Sequence, residues 1–529
     1  MRSRRQSAPG RSTATALTAI EGDLEQEPVG LAVVAQDAVD LADADDLADA
    51  DDLTATEVTA DADLSVRETA EITARGSHMR RVRRRKPRAE TIAKAPELVW
   101  TRGMIAWRVA LATVVLGAFV ALLGHGVGSL LLAAETPSLV SLILTAFGLV
   151  ASSYFAMTLW HAMRYRAVAS YPDAMLPKVT VIVPAYNEGA AVRVALESAL
   201  ASDYPADKLQ IIAVDDGSKD DTWSHIEAVA DANPGRILTI KQPQNGGKRE
   251  ALKTGFELAE GEMVVTVDSD SKIDRHAIRA IVSPMIADPE IGAVAGRVTV
   301  LNREDNLLTR LLSARFFITF DLARAAQSRF GAVLCTPGAL SAYRMSAVRA
   351  VLERWSTQTF FGQPCTIAED RALTTWLLRE GYRSVYQRTA VVDTLMPTDL
   401  RRMARMLVRW ERGNIREDLV MLPLLLTRWR KRDQWWPTLE IVIELVQYPI
   451  AWIGLAFVAA RLIAQPEALL TVAAVVVLGA VVQTLYTLRS ERPSDFFYGV
   501  GYALFAFVGL QWVFPYSLLT VRDGRWLTR

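Results

Sequence analysis

Three acidic or polar clusters follow directly on short apolar runs: PAYNE (184–188) on VTVIV (179–183), DDGS (215–218) on IIAV (211–214), and DSD (268–270) on MVVTV (263–267). A fourth motif, NGGKREA (245–251), sets two glycines and Lys248 at the head of a helical pattern. Amides at a helix N-terminus beside a lysine suit a phosphate. Asp268 and Asp270, two residues apart at a strand end, suit a divalent cation, which would neutralise charge developing on a diphosphate leaving group. Asp215 can accept a hydrogen bond from a base edge, Tyr186 can pack against its ring, and Glu188 belongs to the same rim. Taken singly each motif is weak, because DxD and DDGS turns are common solvated loops. Four in order on alternating elements are specific.

The elements that must position these residues follow from the apolar periodicity. The three runs above and ILTI (237–240) read as buried strands, and 190–201 and 249–260 as helices between them. Strand–helix alternation over 178–395 implies an α/β, Rossmann-like domain with a mostly parallel sheet. Ligands of such sheets bind beyond the carboxyl ends of the strands, where the motifs lie.

Membrane character brackets this domain. Residues 104–124 and 139–160 are apolar over about the ~20 residues that span a bilayer. The loop 125–138 has no Lys or Arg, whereas the flanks carry RRVRRRKPR (80–88), Arg164 and Arg166, so both flanks are expected on the cytoplasmic side. Residues 396–432 read as amphipathic and interfacial, and 433–529 as a C-terminal membrane region with spans at 439–460 and 468–488. The stretch 496–521 is too short to cross twice at ~20 residues per crossing. It is expected to enter, bend near Pro515 and return, which leaves the terminal DGRWLTR in the cytoplasm. Glu440 and Glu444, one helical turn apart, are expected at the cytoplasmic interface, with a polymer path as the alternative.

Composition narrows the classes. Of 529 residues 51% are hydrophobic, and the formal net charge is zero. An acidic block (21–72) and a basic one (80–88) balance, which argues against nucleic-acid binding. Residues 1–95 contain LADADDLADADDL (41–53) and no aromatic residue, the composition of a disordered tail. Two cysteines, Cys335 and Cys365, make no disulfide framework, and the five histidines show no zinc-ligand spacing. Cys335 reads as a packed thiol rather than a nucleophile. No signal peptide is expected.

From about residue 100 onward the chain resembles family 2 glycosyltransferases of the GT-A fold, and within them hyaluronan synthases and chitin-oligosaccharide synthases. The resemblance rests on LCTPGALSAYR (334–344), FGQPCTIAEDRALT (361–374), VYQRTAVVDTLMP (385–397), RWERGNIRED (409–418) and the ending SLLTVRDGRWLTR. It implies a multi-pass enzyme of the plasma membrane with a cytoplasmic catalytic domain. Its partners would be a UDP-sugar donor (UDP-GlcNAc and/or UDP-GlcA), a growing polysaccharide acceptor and membrane lipids, with no nucleic acid. Carried over residue by residue, Asp215 would meet the uracil and Lys248 the diphosphate. Asp270, assisted by Asp268, would hold Mg²⁺ or Mn²⁺, and Asp370 would be the general base. Arg409 and Trp410 match the RW of the family's QxxRW motif, giving a diphosphate contact and a sugar-stacking platform. Both residue types also anchor interfacial helices without any catalytic role. Trp526 and Arg529 match a terminal WGTR that folds back towards the nucleotide. Two positions depart: Met406 stands for the Gln of QxxRW, and Leu527 for the Gly of WGTR. The implied activity is processive polymerisation of UDP-sugars into an extracellular polysaccharide. The alternatives are addition of a single sugar to a lipid-linked acceptor, kept open by Met406, and a catalytically silent membrane partner.

Overall fold

The structure, a computed structural model, describes residues 139–425, 427, 435–490 and 492–524. The tail 1–95, the expected span 104–124, Trp526 and Arg529 lie outside the described residues. In chain order the elements are α1 (Leu139–Met163), β1 (Val179–Ala185), α2 (Ala191–Leu200), β2 (Leu209–Asp215), α3 (Thr222–Ala232), β3 (Ile237–Lys241) and α4 (Lys248–Glu257). They continue with β4 (Met263–Val267), β5 (Ser271–Ile273), α5 (Ala277–Ala287), β6 (Ile291–Val300), α6 (Leu307–Phe316), α7 (Ala323–Arg329) and β7 (Leu340–Arg344). Next come α8 (Met345–Ser356), β8 (Thr359–Phe360), β9 (Gln363–Pro364), α9 (Glu369–Arg379), β10 (Arg383–Thr394) and α10 (Leu400–Leu425). The chain then enters α11 (Trp435–Ala464), α12 (Leu469–Thr484), α13 (Asp495–Gly509) and α14 (Val513–Leu519).

Eight strands form one sheet in the order β3-β2-β1-β4-β7-β6-β10-β5. The pairs β3-β2, β2-β1, β1-β4 and β6-β10 are parallel, and β7 and β5 run antiparallel to their neighbours. All seven residues of β1 are buried, as expected for a central strand covered on both faces. Its side chains alternate: Val181 and Val183 join the core with Leu196 and Ile278, and Ile182 joins the opposite core with Phe256 and Trp355. Register places Ala185 beside Asp215 and Val267 beside Leu340, so β1, β2, β4 and the start of β7 meet at one edge.

The expected interfacial segment 396–432 is largely one helix, α10, whose apolar face turns to protein. Met403, Met406, Leu407 and Val408 enter the main core, and Arg412, Arg416, Glu417 and Asp418 are also buried. Among the described residues three helical stretches, Leu142–Met163, Trp435–Ala464 and Pro466–Arg489, are long and apolar enough to cross a bilayer. The pair α13 and α14 passes the same length test only as a bent unit, with a 52° angle between them. The break falls at 510–512 rather than near Pro515. Pro515 is the third residue of α14, where a backbone N–H has no helical partner to lose. Beyond α14 the chain lies against α10: Arg412 Nε donates to Thr520 Oγ1 (3.0 Å) and pairs with Asp523 (3.1 Å).

Candidate active site

One rim of the site is built from the carboxyl ends of β1, β2 and β4. Tyr186 and Glu188 follow β1, and Ser269 Oγ donates to Glu188 Oε1 (2.8 Å), which ties the PAYNE loop to the DSD loop. Asp216, one residue past β2, accepts from the Gly246 N–H (2.8 Å), and its own N–H donates to Ala185 O (2.8 Å). Burial pushes its carboxyl up to about 6, against the opposing pull of the Gly246 and Gly247 amides. Gly247 has φ +85°, a left-handed value that a side chain would resist, and it leads into Lys248 as the first residue of α4.

Lys248 occupies the middle of the site. Its Nζ lies 2.5 Å from Asp268 Oδ1 and 2.8 Å from Glu369 Oε1. A Cβ on Gly338 would fall 2.6 Å from that ammonium, so only glycine fits there without displacing it. Asp270 lies deeper, accepting from Ser271 Oγ (3.3 Å) and Thr394 Oγ1 (3.4 Å). Burial raises Asp270 to about 6, with the Asp268 charge adding to the effect. Among the described residues no three acidic, histidine or cysteine side chains converge as a ready-made metal cage.

The wall facing Lys248 is carried by α9, which opens on Glu369 and Asp370. Its N-cap, Ala368, is held at φ +54°, a strained value for a residue with a Cβ. Carboxylates in the first turn gain from the helix dipole. The Gly338 N–H donates to Asp370 Oδ2 (2.9 Å) and the Arg371 N–H to Oδ1 (2.7 Å). Two neighbouring carboxylates thus differ. Burial raises Asp370 above the usual range, and Glu369's charge raises it further. Burial also opposes ionisation of Glu369, but the adjacent Lys248 holds it below its usual value. Glu369 therefore stays charged as a counter-ion, and Asp370 is the more basic group. Cys335 lies 3.9 Å from Asp370, and burial first, then that carboxylate, lifts its thiol to about 12. Such a thiol is inert at neutral pH, as expected for a packing residue.

All these groups open onto one cavity of about 1500 Å³. It is lined by Tyr186, Glu188, Asp216, Lys248, Asp268, Asp270, Asp370, Arg409 and Trp410. Arg409 is depressed below its ordinary pKa by burial, a shift opposed by Glu369, Asp370, Asp268 and Asp270. Trp410 lies against Phe316 (6.0 Å between centroids), with the Arg315 guanidinium 5.7 Å from its ring. The cavity continues to Tyr154 on α1 and to Glu440, Glu444 and Gln447 on α11. Glu440 is buried and accepts from Gln327 Nε2 (2.5 Å), and Arg371 pairs with Asp418 and, at 3.7 Å, with Glu444. Both glutamates thus line the cavity, the alternative left open by the sequence, where α11 packs against α1 and α10.

Of the eleven site residues predicted from sequence, eight lie on this cavity, Asp215 is set behind it, and Trp526 and Arg529 lie outside the described residues. Asp215 is fully buried, with Oδ1 accepting from the Ser218 N–H (3.3 Å) and Oδ2 without a partner among the described residues. Sequence reasoning passed over Asp216, Arg371 and Asp418, and gave no role of its own to Glu369 beside Asp370. The DDGS and AEDR motifs contained three of these four, but which member of an acidic pair turns inward is set by packing.

A model of glycosyltransferase-like family 2 matches residues 177–413. An N-acetylglucosaminyltransferase of Rhizobium meliloti (strain 1021) is 37% identical over 288 residues, covering 53% of this chain and 67% of that protein. An N-acetylglucosaminyltransferase of Azorhizobium caulinodans is 31% identical over 356 residues, covering 67% of this chain and 88% of that protein. Among solved structures, a mannosyltransferase from Pyrobaculum calidifontis in complex with GDP-Man and Mn²⁺ superposes with a TM-score of 0.51 at 24% identity, over 69% of this chain and 99% of that one. That likeness is one of fold, the GT-A glycosyltransferase fold. The chain belongs to the family 2 glycosyltransferases and is an enzyme of that class.

Proposed function

We propose that the protein is a processive, inverting β-glycosyltransferase that polymerises UDP-sugars, N-acetylglucosamine among them, at the cytoplasmic face of the plasma membrane. The product, a chitin-like or hyaluronan-like polysaccharide, leaves through the enzyme's own membrane region. The single observation that carries this reading is the cavity, which runs from the Asp268–Asp270 and Asp370 carboxylates to the glutamates of the apolar helix α11. The names of the relatives support N-acetylglucosamine as a donor sugar.

In this reading Tyr186 stacks on the uracil, Asp215 or its neighbour Asp216 accepts from the base, and Lys248 and Arg409 bind the diphosphate. Asp268 and Asp270 present the oxygen donors that Mg²⁺ or Mn²⁺ favours, and the ammonium drawn to Asp268 supports a cation at that position. A cation held there would neutralise charge on the departing UDP. Trp410 supports the acceptor sugar, and Trp526 and Arg529 keep the nucleotide role that the resemblance implies. Asp370 takes the proton of the acceptor hydroxyl as that oxygen bonds to the anomeric carbon and the bond to the UDP oxygen breaks. One displacement inverts an α-linked donor to a β-linked product. Met406, which lines the cavity at the place of the motif glutamine, favours the second reading, a single addition to a lipid-linked acceptor. Membranes incubated with labelled UDP-GlcNAc, UDP-GlcA and UDP-glucose, singly and in pairs, separate the two. A ladder of long products supports polymerisation, and a single-sugar adduct overturns it.

A further inference from the structure

The site gathers Asp268, Asp270, Glu369 and Asp370 on one cavity, with a single ammonium in contact with two of them. Lys248 Nζ touches Asp268 and Glu369 at once, bridging the proposed metal site to the helix that carries the proposed base. The same residue is the first of α4, next to the Gly246–Gly247 amides, where a diphosphate would sit. It cannot serve both places together. A divalent ion on Asp268 takes a carboxylate oxygen at about 2.0–2.6 Å, which would leave the ammonium within about 5 Å of a doubly charged neighbour. Like charges that close, in a half-buried site, repel strongly.

We propose that Lys248 is an exchangeable counter-ion. Before the donor binds it occupies the cation position at Asp268. When a nucleoside diphosphate arrives, the ammonium moves to the phosphates and frees Asp268 for the divalent cation. The inference rests on the metal site proposed above. Its consequence is that diphosphate and metal bind cooperatively through this chain's own lysine, and the coupling is reciprocal. Lys248 lines the same cavity as the Gly246–Gly247 loop, and its stem has four carbons about which the ammonium can be re-aimed. Glu369 does not lose its compensation when the lysine leaves, because the Arg409 guanidinium also acts on it.

The test is Mn²⁺ binding to the full chain in detergent, followed by the spin-resonance signal of free Mn²⁺, with and without UDP. Wild type should bind Mn²⁺ weakly alone and more tightly with UDP. Lys248→Met should bind Mn²⁺ alone at least about tenfold more tightly than wild type, since a positive charge in contact with the ligand is gone. The further gain on adding UDP should shrink. Lys248→Gln keeps a neutral donor at Asp268 and should behave alike, so instability of the methionine variant does not end the test. Adding Asp270→Asn to either variant should remove the gained binding. Wild type that binds Mn²⁺ with UDP, combined with unchanged metal-alone affinity in both lysine variants, overturns the counter-ion role and leaves the metal site standing. Wild type that fails to bind Mn²⁺ even with UDP overturns both.

Discussion

At the scale of single residues, the separation of roles between Glu369 and Asp370 is the most consequential feature. Both open the same helix, yet one touches an ammonium and the other accepts from the Gly338 and Arg371 N–H groups and the Cys335 thiol on the cavity wall. The expected outcome of Asp370→Asn is loss of transfer by about 10²–10⁴, the usual worth of a positioned base, with UDP-sugar binding retained. Glu369→Gln should instead loosen Lys248 and weaken donor binding. The pH dependence has a definite sign. Asp370 acts as its anion, and its folded pKa lies above the ordinary carboxylate range. The rate should therefore fall as pH drops through that raised value, at a pH where an ordinary surface aspartate would still be ionised. A rate profile of wild type measured at saturating donor checks this. An acid limb no higher than a normal aspartate's would remove Asp370 from the role.

At the scale of elements, the strands and helices around the site were largely readable, because buried parallel strands leave continuous apolar runs. Four expected strands match observed ones to within two residues at each end, as do two helices to within three. What could not be read was rotation about an axis. The amphipathic pattern of α10 shows that one face is apolar, but not that this face meets the sheet instead of lipid. The turn spacing of Glu440 and Glu444 likewise shows that they share a face, and only the packing of α11 shows where it points. The bend after α13 was misplaced for a related reason: Pro515 looks like a breaker, yet the first turn of a helix tolerates proline. The returning chain is held by Arg412, which joins α10 to Thr520 and Asp523, while Thr366 Oγ1 donates to Gly524 O (2.5 Å). Arg412→Met should cost about 1.5–3 kcal/mol, the range for hydrogen bonds to charged groups. The loss should appear as faster proteolysis after Thr520 and a raised KM for the donor, while α10 stays folded. Unchanged donor KM in a variant with a cleavable C-terminus would show that the returning segment does not reach the nucleotide.

At the scale of the whole molecule, the catalytic sheet and the apolar helices share one wall. Helix α6, the segment that follows it and α7 carry Arg315, Phe316, Phe320, Arg324 and Gln327 along the cavity, between the acidic strand ends and α11. A π-helical segment at Phe317–Leu322 joins α6 to α7, and Asp321 within it accepts from Tyr386 (2.8 Å), Arg388 (2.7 Å) and Tyr486 (2.8 Å). That hub fixes the wall to β10 on one side and to the end of an apolar span on the other. An enzyme making a single addition has no need of such an extension beyond the acceptor hydroxyl, whereas a polymerising one must accommodate the earlier sugars. Gln447 lines the α11 end of the cavity, about one helical turn beyond Glu444. Gln447→Trp should fill that end without touching the reacting groups. The expected result is UDP release that begins at nearly the wild-type rate, with products that stop at a few sugars. Product length on a gel, set against UDP released per enzyme, reads both quantities from one reaction. Long products from a folded Gln447→Trp variant would show that the chain does not pass α11, and the polymer would need another route out of the site.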